Sequence, residues 1–112
     1  MTDIPFAFEP DVGAGGPLVS VFTVFHAKPE LQHRLLFELR QLMRSSRQES
    51  GCLLFDLFRI NGDPRGFALS EVWIDPAAKL AHERAFHSRR FLIEASPFLE
   101  DSQEIYSLEE LL

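Results

Sequence analysis

Three runs of β-branched and aromatic residues in this chain are apolar on both sides, so a sheet built from them has two faces to bury. The runs are "LVSVFTVFHA" (residues 18–27), "CLLFDLFRI" (52–60) and "FALSEVWI" (67–74). Side chains alternate across a strand. In the first run Leu18, Ser20, Phe22, Val24 and His26 share one face, and Val19, Val21, Thr23, Phe25 and Ala27 the other. In the second, Leu53, Phe55 and Leu57 oppose Leu54, Asp56 and Phe58. In the third, Phe67, Leu69, Glu71 and Trp73 oppose Ala68, Val72 and Ile74. A sheet covered on one side only would show a polar outer set.

Between the first two runs, Leu31, Leu35, Leu39 and Leu42 recur at helical spacing, with Leu36 and Met43 beside them. Pro29 stands where the first helical position is expected, and the helix should end near Gln48, before Gly51. "NGDPRG" (61–66) is rich in turn formers and predicts a hairpin between the second and third strands. Asp75 followed by Pro76 predicts a second helix start, with Ala78, Ala81 and Ala85 as its buried stripe. A short last strand should begin near Glu104. The order strand, helix, strand, strand, helix, strand is the split βαβ arrangement of an α+β ferredoxin-like fold, an antiparallel sheet with both helices on one face. The domain is expected over residues 18–112, after a Gly- and Pro-rich extended arm, residues 1–17. Two helices cover one face of such a sheet. The other predicts a homodimer packed sheet to sheet, and the competing cover is the irregular arm.

A net charge of -6 argues against a phosphate-tracking surface, so no nucleic-acid partner is expected. No apolar stretch approaches a membrane span, and the N-terminus has no secretory pattern. A single cysteine, Cys52, allows no intrachain disulfide and fits a reducing, cytoplasmic setting. Eleven Phe against one Trp and one Tyr suggest a wide apolar interior with room for a flat ligand.

The chemistry-bearing candidates lie around "HERAFHSRRF" (82–91). His82 and His87 are five apart, which turns one side chain about 140° from the other on an ideal helix. They cannot chelate from one unbroken helix, and no carboxylate pattern completes a site, so no metal is expected. Against the alanine stripe, His82 falls on its shoulder, and His87 points toward solvent unless the helix breaks near "FHS". Trp73 reads as core whose indole N–H needs a partner. Glu71, on an otherwise apolar face, calls for Arg59 or Arg40, the dimer seam or a raised pKa. A salt-bridged structural glutamate is the favoured reading. Cys52 reads as a small buried hydrophobe. No Ser/His/Asp, phosphate-loop or dinucleotide signature is present, and "GAGG" (13–16) precedes a strand rather than a helix.

Taken together, "ESGCLLFDLFR", then "FALSEVW", then "HERAFH" with a phenylalanine four residues on, resemble the antibiotic biosynthesis monooxygenase family, its quinol monooxygenase-like members in particular. The ordered residues are Glu49, Gly51, Cys52, Glu71, Trp73, His82 and His87, with Phe91 where Tyr or Phe often stands. The resemblance covers about residues 18–100. It implies ferredoxin-like protomers paired as a dimeric α+β barrel, a pocket in each between helices and sheet, and oxygenation of quinols or anthrones by O₂ without metal, flavin or other cofactor. In that scheme His82 is the base or phenolate partner and Trp73 an aromatic wall with an N–H handle. Phe55 and Phe91 pack on the substrate ring, His87 is a polar contact at the mouth, and Phe22 is a further lining candidate. Two departures stand out. Where some relatives carry an Asn on the first strand, this chain has Thr23 and Val24, which counts against haem degradation. Phe55 and Phe91 stand where a Tyr is often found.

Two other readings remain open on the residues. A non-catalytic dimeric binding module fits the thin polar equipment of the pocket. An isomerase of a small polar metabolite would use His82 as acid–base and would need cations in the pocket, for which Arg84, Arg89 and Arg90 are near in sequence.

Overall fold

A computed structural model describes residues 17–101 and 103–111. The N-terminal arm expected over 1–17 therefore lies, apart from Pro17, outside the described residues. The element order is β1 (Val19–His26), α1 (Gln32–Ser46), β2 (Cys52–Arg59), β3 (Gly66–Trp73), α2 (Pro76–Arg84), α3 (Phe86–Ala95), a 3₁₀ turn (Ser96–Phe98) and β4 (Glu104–Leu108). The strands form one antiparallel sheet in the order β2-β3-β1-β4. This is the ferredoxin-like topology that the element order implies, with one helix more than expected.

The alternation argument holds on β1 and β3. Val21, Thr23 and Phe25 are buried on one face, while Phe22 and Val24 are half-buried on the other. Phe67, Leu69, Glu71 and Trp73 continue the buried face, and Leu35, Leu39 and Leu42 of α1 pack onto it. On β2 the pairing steps from Cys52↔Trp73 to Leu54↔Val72, a bulge at Leu53. The extra residue shifts the alternation by one. Leu53, expected on one face with Phe55 and Leu57, is thereby 54% exposed, whereas Cys52 packs against the core.

Helix α1 begins later than Pro29 suggests. Lys28 accepts from Leu31 N–H in a tight turn, and Glu30 takes the left-handed conformation with φ 66°. The β2–β3 connection is the expected hairpin, with Gly62 at φ 81°, a conformation glycine adopts without strain. Asp75 caps α2 by accepting from Ala78 N–H at 2.8 Å, and Pro76 opens the helix.

The second helical region is two helices rather than one. Ala85 is extended (φ -65°, ψ 149°), ending α2 and starting α3. Its N–H reaches the His82 carbonyl, and its carbonyl accepts from Ser88 and Arg89 N–H. Neither proline nor glycine marks the break. It also corrects the expected stripe. Ala81 is exposed, and the inward positions are Ala78, His82 and Ala85.

Among the described residues, no helix is long and apolar enough to cross a membrane.

Candidate functional site

Residues far apart in the chain converge under α2 and α3. Glu49 sits in the turn between α1 and β2, Glu71 and Trp73 are on β3, His82 is on α2, and His87 and Ser88 are in the first turn of α3. The ordered motif residues of the sequence are thus neighbours in space.

One carboxylate oxygen organises the cluster. Glu49 Oε2 lies 2.7 Å from His82 Nδ1 and 2.7 Å from His87 Nε2. A carboxylate accepts, so both imidazoles donate to it. This assigns the proton of neutral His82 to Nδ1 and leaves Nε2 as a lone pair. Nε2 lies 3.9 Å from Glu71 Oε1, beyond hydrogen-bond range. Glu71 Oε1 in turn accepts from Trp73 Nε1–H at 2.9 Å. The His82 ring stacks on Trp73, centroids 4.4 Å apart, and meets the edge of Phe55 at 5.7 Å. Ser88 Oγ lies 3.3 Å from His82 Nδ1. His82, Glu71 and Ser88 are all buried.

Beside this cluster, between the inner sheet face and the split helices, is a cavity of about 240 Å³. Its apolar lining includes Val21, Phe25, Leu69 and Phe91, and His82, Glu71 and Ser88 supply polar groups. Lys79 and Glu83 line it as an ion pair at 2.7 Å. Glu71 and Ser88, which lie 3.9 Å and 3.5 Å from His82 Nε2, line the cavity, and Glu49 does not.

Among the sequence candidates, His82 and Phe91 line this cavity. Trp73 does not. It is fully buried beneath His82 and its indole N–H is committed to Glu71, so it backs the site rather than walling it. Phe55, 1% exposed, wedges against both rings from below. His87 opens on a neighbouring groove with Glu38 and Arg90. Phe22 is on the other side of the sheet, because β1 alternation points it away from the helices.

Glu71 finds Trp73 instead of Arg59 or Arg40, and the spacing argument against a shared histidine site fails with the helix break at Ala85. The residues missed as site members are Glu49, Glu71 and Ser88. Burial, then the charge of Glu49, pushes the nearby Cys52 thiol up. None of Arg84, Arg89 and Arg90 lines the cavity: the first two are exposed, and Arg90 pairs with Glu38 at 3.3 Å. The cation that does line it, Lys79, is paired with Glu83.

Residues 18–92 match the sequence pattern of the antibiotic biosynthesis monooxygenase family. No curated protein matches the chain. Among solved structures, PA3566 from Pseudomonas aeruginosa is 31% identical with a TM-score of 0.82, covering 89% of this chain and 100% of its own. A protein described as an antibiotic biosynthesis monooxygenase is 28% identical with a TM-score of 0.79, over 84% of this chain and 99% of its own. Rv0793 from Mycobacterium tuberculosis shares the fold at 22% identity and a TM-score of 0.79, over 84% of this chain and 95% of its own. With the motif residues gathered at one site and the match spanning most of the domain, this chain belongs to the antibiotic biosynthesis monooxygenase family.

Proposed function

We propose that this protein oxygenates a small electron-rich aromatic, a quinol or an anthrone, with O₂ and no cofactor, in the cavity beside His82. The observation that carries the reading is a buried imidazole that lines a largely apolar cavity and has its Nδ1–H tied to Glu49, which leaves Nε2 as its basic nitrogen. A cavity of about 150 Å³ holds a benzene ring, so about 240 Å³ suits one or two rings.

Nε2 takes the proton of a phenolic O–H, and the Glu49 carboxylate stabilises the imidazolium that forms. The phenolate is electron-rich enough to pass an electron to O₂. Recombination of the two radicals makes a C–O bond and, with the proton returned by His82, a hydroperoxide. Loss of water from it leaves a carbonyl. One oxygen atom enters the product, the other leaves as water, and the substrate supplies all the electrons. Phe91, Phe25 and Leu69 hold the ring and keep bulk water from the radical pair.

The working unit in this reading is a homodimer joined through the outer sheet face. That face carries Leu54, Phe58, Tyr106 and Leu108, between 37% and 51% exposed. An apolar patch of this kind is what an obligate interface covers.

Oxygen uptake by metal-stripped protein with hydroquinones and hydroxyanthrones, beside His82→Ala, tests the chemistry. Uptake above autoxidation, lost in the variant, is the expected result. Ligand binding without uptake by any of these substrates would leave a binding module instead.

A further inference from the structure

We infer that Glu49, His82 and His87 form a binding site for a divalent transition-metal cation of the Zn²⁺ type. The inference goes beyond the oxygenation reading: an ion held by Nδ1 leaves the imidazole proton on Nε2 and so silences the base of that reaction, and the test reads cation binding rather than turnover. One ligand atom from each of Glu49, His82 and His87 lies within 4.8 Å of the others, and Glu49 Oε2 is 2.7 Å from both His82 Nδ1 and His87 Nε2. Two imidazoles and a carboxylate are a donor set that suits zinc, cobalt and iron in the divalent state. Ligands about 2.0–2.2 Å from a tetrahedral ion stand roughly 3.3 Å apart. The present contacts of 2.7 Å are hydrogen bonds; to seat an ion the Glu49 carboxylate draws back by less than about 1 Å while the two imidazole nitrogens, within 4.8 Å of each other, close toward that spacing. His87 is in the first turn of α3 and its side chain is 24% exposed, which gives both the freedom to move and a route from solvent.

Charge balance points the same way. Glu49 and Glu71 flank His82 with side chains 18% and 8% exposed, and among the described residues neither is ion-paired with a lysine or arginine. Arg47 is committed to Phe55 O and Asp56, Lys79 to Glu83, and Arg90 to Glu38. Two partly buried carboxylates without a fixed cation call for positive charge between them. A dication bound by the imidazoles supplies it.

The surroundings of His82 suit a ligand. Stacking on Trp73 and contact with Phe55 fix the ring plane. Ligation through Nδ1 moves the imidazole proton to Nε2, which faces Glu71, a carboxylate itself anchored by the Trp73 indole. At 3.9 Å the two are not yet hydrogen-bonded, and a closer approach would give the carboxylate backing that orients a histidine ligand and raises its basicity. Ser88 Oγ, 3.3 Å from Nδ1, is placed to hold a water in an open coordination position.

The test is calorimetric titration of Zn²⁺ into the EDTA-stripped full chain, with a parallel Co²⁺ titration followed by visible d–d absorption. One ion per chain and intense tetrahedral Co²⁺ bands are expected. His87→Ala and Glu49→Gln should each weaken binding roughly tenfold or more, both being folded by circular dichroism. His33→Ala, changing an exposed histidine of α1 outside the cluster, should bind as the parent does. Absence of binding in the parent would overturn the inference and leave the cluster a hydrogen-bonded relay. Binding that survives both cluster variants unchanged would overturn it equally, by placing the ion elsewhere.

Discussion

The imidazole of His82 lies against the indole of Trp73, ring centroids 4.4 Å apart and planes 30° from parallel. Trp73 thereby supports two site residues at once, since its N–H also holds Glu71 Oε1. Trp73→Phe keeps an apolar ring but strands that buried oxygen. Losing a donor to a buried charged group and leaving a small void should together cost about 2–4 kcal/mol. Urea unfolding followed by circular dichroism measures it. A loss below about 1 kcal/mol would mean that Glu71 finds another donor when the indole is gone.

Gly51 is where the turn carrying Glu49 passes under α2. A Cβ there would collide with the Ala78 Cβ and sit 3.2 Å from Ile74 Cγ2. Neither neighbour is a flexible chain end, so Gly51→Ala must push α2 away. Overpacking of this kind costs about 1–3 kcal/mol, and the thermal midpoint should fall by several degrees. Because His82 rides on the displaced helix, aromatic ligand affinity should fall with it.

Periodicity reports which face a residue is on, and that is why the sheet and its helix-covered side are legible in the sequence from Val21, Phe25, Leu69 and Trp73. It fails where the period is interrupted without a marker. Leu53 forms a bulge with no glycine to announce it, and Ala85 breaks a helix with no proline. The second interruption matters most for the site. On an unbroken helix His87 points away from His82, and across the break both reach Glu49. Glu49 itself is 33 residues from His82 in the chain, a separation at which no local pattern carries information. Glu71 is the opposite case. Its partner Trp73 is two residues away on the same strand face, and alternation alone could have paired them in place of a distant arginine.

Cys52 should be a sluggish nucleophile. Burial raises its pKa first, then the charge of Glu49, with Glu71 adding to it. A thiol whose pKa is raised on folding contributes stability that is fully present below its unfolded pKa and is lost as pH climbs through the folded one. Stability should therefore decline on the alkaline side, above about pH 8.5. Cys52→Ala should flatten that decline and leave the acid side unchanged. Iodoacetamide should alkylate Cys52 more slowly than a free thiol at mildly alkaline pH, and Glu49→Gln should quicken it.

The proposed dimer rests on the outer sheet face. Phe58 on β2 is 51% exposed, and Leu54 shares its face. Across the sheet, Phe22 and Tyr106 stand opposite each other on β1 and β4 with Tyr106 half exposed. In the proposed dimer Phe58 is desolvated against a second copy, where a charge has no partner. Phe58→Glu should then shift light-scattering mass from twice the chain mass to once, while the helix-covered cavity and its His82 cluster, on the other side of the sheet, stay intact. In a monomeric parent the same substitution replaces an exposed apolar ring with a solvated carboxylate and changes mass not at all. The two outcomes separate cleanly, because the variant touches neither the α1 packing nor any residue that lines the cavity.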